Sequence, residues 1–257
     1  MKTPELKHYI EDDILLVHKP IGISSFGLVA KMRKILGTRK IGHAGTLDPL
    51  ASGLMILGIN KGTKKIENYL KKDKTYIAEI YIGKSTTTGD REGDIVETKL
   101  PHKLDMTELN LDVALQSLLG EHYYPAPLYS AVKVEGRALY NYARAGETPP
   151  FIPEKLMNLK QVMITDIYKS GDFYVIKVRA NVGSGTYIRT LAEEFGKKIG
   201  YPASLKDLYR LSIDKYSDLD SFHIEGLKKT KKSVTMRIYS LIQKILCTYF
   251  SKQKKLN

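Results

Sequence analysis

The chain has 257 residues, 42% of them apolar, enough to bury the core of one large domain or of one domain with a small appendage. Its one cysteine, Cys247, excludes an internal disulfide and a multi-cysteine zinc site, and suits a reducing compartment with the cytoplasm as the expected location. A net charge of +13 points to a polyanionic partner, but nine basic and no acidic residues lie between 227 and 257, leaving only +4 for the preceding 226 residues. The opening MKTPELKHYIEDD mixes both charge signs and reads as neither a secretory signal nor a membrane span, and no apolar run approaches spanning length.

Residues 14–18, ILLVH, predict a short buried strand. Ser24 or Ser25 then caps an amphipathic helix through VAKMRKIL that stops at Gly37. A glycine-rich loop follows, then LMILGI as a second buried strand and a helical stretch from Lys64 to Leu70. TYIAEIYIG, residues 75–83, alternates like a strand and is rich in β-branched residues, whereas TTTGDREGD reads as a polar turn.

Thr107 to Leu119 has helical spacing ending at Gly120, and LYSAVKV with EGRALYNYARAG reads as strand, tight turn and helix. Strands are expected around QVMITDIYK and DFYVIKVRA, then a helix through TYIRTLAEEFGKKIG with Gly200 as its stop. Val234, Ile238, Leu241, Ile242, Ile245 and Tyr249 recur at helical intervals and predict a terminal helix docked on the core. Strands and helices do not alternate regularly, so the expected class is α+β: a mixed, mainly antiparallel central sheet with flanking helices.

Several motifs fail on inspection. The glycine that a phosphate-binding P-loop needs five residues before Gly83-Lys84-Ser85 is replaced by Ala78. DREGDIV lacks the ligand spacing of a calcium loop. The six histidines show no paired spacing, which argues against a histidine metal site, and Glu193 and Glu194 point to different helix faces.

GHAGTLDPLASG, residues 42–53, stands out. An Asp-Pro step commonly caps a helix or starts a turn. Around Asp48, however, Gly42, Gly45 and Gly53 would let backbone adopt positive φ or approach a ligand closely. A carboxylate in such a loop could serve as nucleophile or base without a metal. His43 could titrate nearby or be a plain hydrogen-bonding residue.

The chain resembles the TruB family of tRNA pseudouridine synthases. LLVHKPIGISS is similar to the family's LLxxKPxGxSS, and the loop at 42–53 to GHxGxLDPxAxG. KTYIAEIYIGKSTTTGDREG, YSAVKVEGRALYNYAR and SGTYIRT match three further family segments. These span residues 14 to about 216 in family order.

The resemblance implies the pseudouridine synthase fold and isomerisation of the uridine at position 55 in the T loop of tRNA, without a cofactor or metal. It places Asp48 as the nucleophile, whether toward sugar or base, and Tyr76 as the residue that stacks on the flipped base. His43 would occupy space left in the RNA stack, Arg189 would partner Asp48, and Tyr187 and Leu208 would line the base pocket. Without the resemblance, Tyr76, Tyr187 and Leu208 read as core and Arg189 as a solvated helix face. Lys19 and Lys133 fall in matched motifs as candidate RNA contacts or structural residues.

The expected organisation is a catalytic domain over 1–216 and a short basic extension over 217–257 in place of the family's PUA-type RNA-binding domain. The extension's lysines are expected to attract phosphate nonspecifically. The expected partner is the T-arm of tRNA, bound by a monomer that needs no protein partner. Two other readings stay open: a noncatalytic tRNA-binding or folding factor, and a related synthase acting on another RNA.

Overall fold

The computed structural model describes residues 9–10 and 13–224. In chain order its strands and helices are β1 Tyr9–Ile10, β2 Ile14–Lys19, α1 Ser25–Leu36, β3 Ile41–His43, β4 Ser52–Ile59, α2 Ile66–Leu70, β5 Lys74–Ile82, β6 Lys84–Thr86 and β7 Ile95–Thr98. There follow α3 Glu108–Gln116, β8 Gly120–Pro125, β9 Lys133–Val134, β10 Arg137–Ala138, α4 Leu139–Ala145, β11 Glu154–Ser170, β12 Phe173–Val182, α5 Ile188–Ile199, β13 Ala203–Ile213, β14 Tyr216–Ser217 and β15 Phe222–His223.

One sheet organises the molecule, in the order β1-β2-β4-β13-β5-β12-β11-β8, with β3 on β4, β14 on β13 and β15 on β2. Its neighbours are antiparallel except β13 with β4 and β15 with β2, so the class is the expected mixed, mainly antiparallel α+β. On one face the sheet packs against α1, α3 and α5, whose Leu28, Met32, Leu111, Leu115, Leu191 and Phe195 share a core with Val17, Ala78, Ile80, Val178 and Leu205. A smaller core on Ile14, Leu16, Leu54 and Ile56 takes Ile66 of α2.

Local chemistry sets the element ends. Ser24 caps α1 by accepting from Gly27 N, and Gly37 at φ 63° ends it in the left-handed conformation. Glu135 and Gly136, at φ 50° and 80°, form the two-residue turn of the β9–β10 hairpin, as turns with two positive φ values require. The strand expected over LYSAVKV shrinks to that hairpin. Conversely, β11 starts well before QVMITDIYK because Glu154–Leu159 pairs with β8, a long-range pairing that local pattern does not show. Helix α3 ends at Gln116, short of Gly120.

The sheet also continues past residue 216. Asp218 accepts hydrogen bonds from Tyr209 Oη (2.7 Å) and Ser221 Oγ (2.8 Å), and pairs with His18 Nδ1 at 2.7 Å. Burial alone would raise its pKa, but these three partners together bring it below the ordinary value. The folded unit therefore extends through Ile224, beyond the expected boundary at 216. The helix expected around 234–249 and the lysines of the extension lie outside the described residues.

Gly53 is where backbone crowding decides the residue. It sits opposite Arg210 in the parallel β4–β13 pairing at φ 109°, and an added Cβ would lie 2.3 Å from the Arg210 carbonyl oxygen. The glycine thus admits β13 rather than a ligand. Gly53→Ala should lower stability by about 2–4 kcal/mol through strain and clash. Thermal denaturation should show a clear fall in Tm, and an unchanged Tm would contradict this packing.

Candidate active site

The loop between β3 and β4 carries Asp48. No helix follows it: Ala51 N donates to the Asp48 carbonyl (3.1 Å) in a tight turn, and the chain then enters β4, so Asp48 caps nothing. Its main chain is fastened on both sides. Ser25 Oγ accepts from Leu47 N at 2.8 Å and donates to Leu47 O at 2.9 Å, and Gly22 N donates to Pro49 O at 2.8 Å.

From beneath, Arg210 Nε donates to Leu54 O (2.7 Å), while Nη2 and Nη1 reach Gly45 O (3.3 Å) and Thr46 O (3.5 Å). Arg210 is fully buried, so these carbonyls replace the water a guanidinium would otherwise need. One side chain thereby grips both arms of the loop. Gly45 serves this arrangement at φ 99°, whereas Gly42 has ordinary φ and makes room for Ile66, whose Cδ1 an added Cβ would meet at 2.9 Å.

The Asp48 carboxylate faces Arg189, with Oδ2 3.1 Å from Nε. Arg189 lies in the first turn of α5 and is 6% exposed, which sets aside its reading as a solvated helix face. Its Nη1 donates to Thr88 O and its Nη2 to Tyr129 O, both at 2.9 Å, and Asp90 Oδ2 stands 3.8 Å from Nη1. Burial pushes the Asp48 carboxyl above its ordinary pKa and the negative Asp90 adds to this, while Arg189 and Lys19 pull it down. The Asp48 side chain is 34% exposed, so the guanidinium stabilises a half-buried carboxylate.

The other expected residues are distributed around this pair. Tyr187 is the N-cap residue of α5; burial raises its phenol pKa, opposed by a hydrogen bond with Ser130. Burial lowers the pKa of His43, the last residue of β3, with the Gly45 backbone opposing. Tyr76, 6% exposed, lies in the main core directly across from Arg210 in the β5–β13 pairing, and Leu208 lies across from Ala78 on the same face. Their burial is what ordinary core residues would show; Tyr76 differs in being next to the arginine that holds the Asp48 loop.

Lys19 has no exposed surface. Its ammonium donates to Ile23 O (2.7 Å) and Pro20 O (3.1 Å), and burial brings its pKa down to about 8. It is a loop anchor whose charge is felt by Asp48. Lys133, on the β9–β10 hairpin, is exposed, so of the two lysines it is the one offered to solvent.

Asp90, Arg210, Thr88 and Tyr129 are the residues that sequence reasoning missed. TTTGDREGD reads as a surface turn, yet Asp90 is 4% exposed, accepting from Thr88 Oγ1 at 2.7 Å and Glu92 N at 3.0 Å. Only burial reveals its part. His18 and His223, far apart in the chain, also come together beside Asp218, but their rings stack at 4.3 Å with an 11° angle. Parallel imidazoles do not converge their in-plane lone pairs on one ion.

The fold that carries this pair is shared by proteins of known structure. A solved Cbf5-Nop10-Gar1 complex has a chain with the same fold (TM-score 0.60, 24% identity, 82% of this chain and 52% of that one). An H/ACA RNP bound to a substrate RNA gives a TM-score of 0.59 at 19% identity, over 90% and 58% of the two chains. The chain thus spans somewhat more than half the length of those solved chains.

Residues 33–188 match the family model described as TruB family pseudouridylate synthase (N terminal domain). The tRNA pseudouridine synthase B of Bacillus subtilis is 39% identical over 89% of this chain and 74% of its own length, and that of Staphylococcus aureus is 40% identical over 84% and 71%. The chain belongs to the TruB family of pseudouridylate synthases.

Arg189→Gln keeps hydrogen-bonding capacity and removes the charge, so the Asp48 pKa should climb further. Because the folded value already lies above the unfolded one, Asp48 favours the fold most when protonated, and that contribution is lost as pH rises through the folded pKa. In protein labelled at the aspartate carboxyl carbons, the NMR titration of Asp48 should move to higher pH in the variant. A titration unmoved, or moved to lower pH, would rule out Arg189 as the stabilising charge.

Proposed function

We propose that this chain isomerises uridine to pseudouridine at position 55 in the T loop of tRNA, with Asp48 as its nucleophile. The observation that carries this reading is the 3.1 Å contact between Asp48 and the buried Arg189, together with membership of the TruB family. In the reaction the bond from N1 to C1′ breaks, the base turns, and C5 bonds to C1′; C5 gives up its proton and N1 gains one. Atoms balance without an oxidant, a reductant or an added group, so an anionic side chain suffices as the covalent partner.

The target base must leave its stack, at a cost of a few kcal/mol. Tyr76, bordering Arg210, is the aromatic that would stack on it, which typically returns about 1–3 kcal/mol. Tyr187 and Leu208 would close the pocket, and His43 would enter the gap in the RNA. Burial favours the neutral form of that imidazole, which suits filling space over carrying charge.

Charge on the protein body supports a T-arm substrate. Between residues 14 and 72 the only acidic residues are Asp48 and Glu67. Lys31, Lys34, Arg39, Lys40, Lys61 and Lys64 in that span are exposed, and the Asn60 N to Lys40 O bond (2.8 Å) joins the loop that carries Arg39 and Lys40 to the 3-10 turn Asn60–Lys64. Such a rim attracts phosphate. The enzyme would act as a monomer, with the basic extension adding nonspecific attraction.

The deciding experiment incubates purified protein with a T-arm stem-loop and no added metal or nucleotide, then maps pseudouridine by mass spectrometry. Modification at the single expected uridine is the expected result; none at that position would refute the assignment. Asp48→Asn should lower the single-turnover rate by at least about a thousandfold while tRNA affinity stays within about threefold. Substantial turnover in that variant would remove Asp48 from the nucleophile's role. Tyr76→Ala should impair the chemical step more than binding, since most RNA affinity comes from backbone contacts; an equal loss in both would contradict the stacking role.

A further inference from the structure

Helix α1 buries Ser25, Leu28, Val29, Met32 and Leu36, and Phe26 falls off that face and is 67% exposed. A lone exposed apolar side chain needs no explanation. This one has three features that together do.

First, it is backed by a cation. The Arg33 guanidinium carbon lies 5.7 Å from the Phe26 ring centroid, and Arg33 Nη2 donates to Ile41 O at 3.3 Å. The arginine lies against the ring, while most of the residue's surface stays open to solvent. Second, the ring is coupled to the catalytic loop. Ser25, its chain neighbour, makes the reciprocal hydrogen bonds with Leu47, the residue before Asp48. Ile41, whose carbonyl Arg33 holds, is two residues from His43 on β3.

Third, the stretch of chain that carries it is basic. No acidic residue occurs from 14 to 47, while Lys31 and Lys34 of α1 and Arg39 and Lys40 beyond it are exposed. Ile21, five residues before Phe26, is 54% exposed beside Gly22, which is tied to Pro49. An aromatic face set in a field of positive charge is the chemistry that holds an unpaired nucleobase: the ring stacks while the cations take the adjoining phosphates.

We propose that Phe26, backed by Arg33, is a stacking platform for an unpaired nucleobase of the bound RNA, next to but distinct from the pocket that takes the target uridine. The inference rests on the proposed function. It assigns Phe26 to RNA binding, with no part in the isomerisation step.

The chain contains no tryptophan, which gives a direct probe. In an Asp48→Asn background, Phe26→Trp supplies the one indole, and its emission should be quenched on titration with the T-arm stem-loop, saturating with RNA binding. In the otherwise wild-type enzyme, Phe26→Ala and Phe26→Leu should each raise KM about 5- to 100-fold, the range that a lost stack predicts. Their kcat should be unchanged, and Phe26→Trp should restore KM. The Leu variant matters because it keeps apolar bulk and loses the π face.

Wild-type KM in both variants, or an indole that does not respond to saturating RNA, would overturn the platform. Emission that follows protein concentration in place of RNA would assign the surface to a second copy of the chain, and also overturn it. The wild-type protein in the same assay keeps the two ideas separate. Turnover by wild type with an unresponsive Phe26 defeats this inference alone, whereas no pseudouridine from wild type defeats the function on which it rests.

Discussion

A carboxylate partly withdrawn from water holds its proton more tightly. The contact between Asp48 and Arg189 answers that difficulty, and much of the molecule exists to hold it. Desolvation raises the Asp48 pKa and the guanidinium opposes it. Arg189 is itself buried and must satisfy its remaining donors, which it does on the carbonyls of Thr88 and Tyr129. Those carbonyls belong to separate segments, so meeting one arginine's needs draws a turn, a loop and the start of α5 to a single point. Asp90 contributes a second negative charge at 3.8 Å, which moderates the charge of the group while raising the cost of ionising Asp48.

A second arginine performs the mechanical task. Arg210 touches no carboxylate among the described residues and grips carbonyls on both arms of the loop. Tyr76 lies opposite it in the sheet, so the residue that would stack on the flipped base and the loop that carries the acid share one buried brace. The two arginines are therefore not interchangeable. One sets the charge state of the carboxylate, and the other sets where the carboxylate stands.

What could be read in the sequence was local. Strands β2, β4, β5 and β12 and helices α1 and α5 follow from apolar period and from caps such as Ser24, Gly37 and Gly200. Asp48 and Arg189 emerged as partners through the family resemblance, and the geometry places them in contact. Other features depend on pairings between distant segments. Glu154–Leu159 is strand only because β8 lies beside it, and Asp90 looks like any turn acid until α5 covers it. Gly53 signals freedom in the sequence, and only the pairing with Arg210 shows that it serves close packing. The histidines of β2 and β15 likewise meet only because the chain after residue 216 returns to the sheet.

The sheet has a narrow seam. Strands β4 and β13 are joined through only two residue pairs, Tyr209 with Ser52 and Arg210 with Gly53, whereas β13 and β5 pair over nearly their whole lengths. The Asp48 loop belongs to the half ending in β4, and Arg189 to the half that begins with β13 and carries α5. The two halves nonetheless share one core, in which Val17 and Leu28 belong with Ile80, Phe195 and Leu205. The contact between Asp48 and Arg189 bridges the two halves, so any opening of the seam separates the acid from its counter-charge.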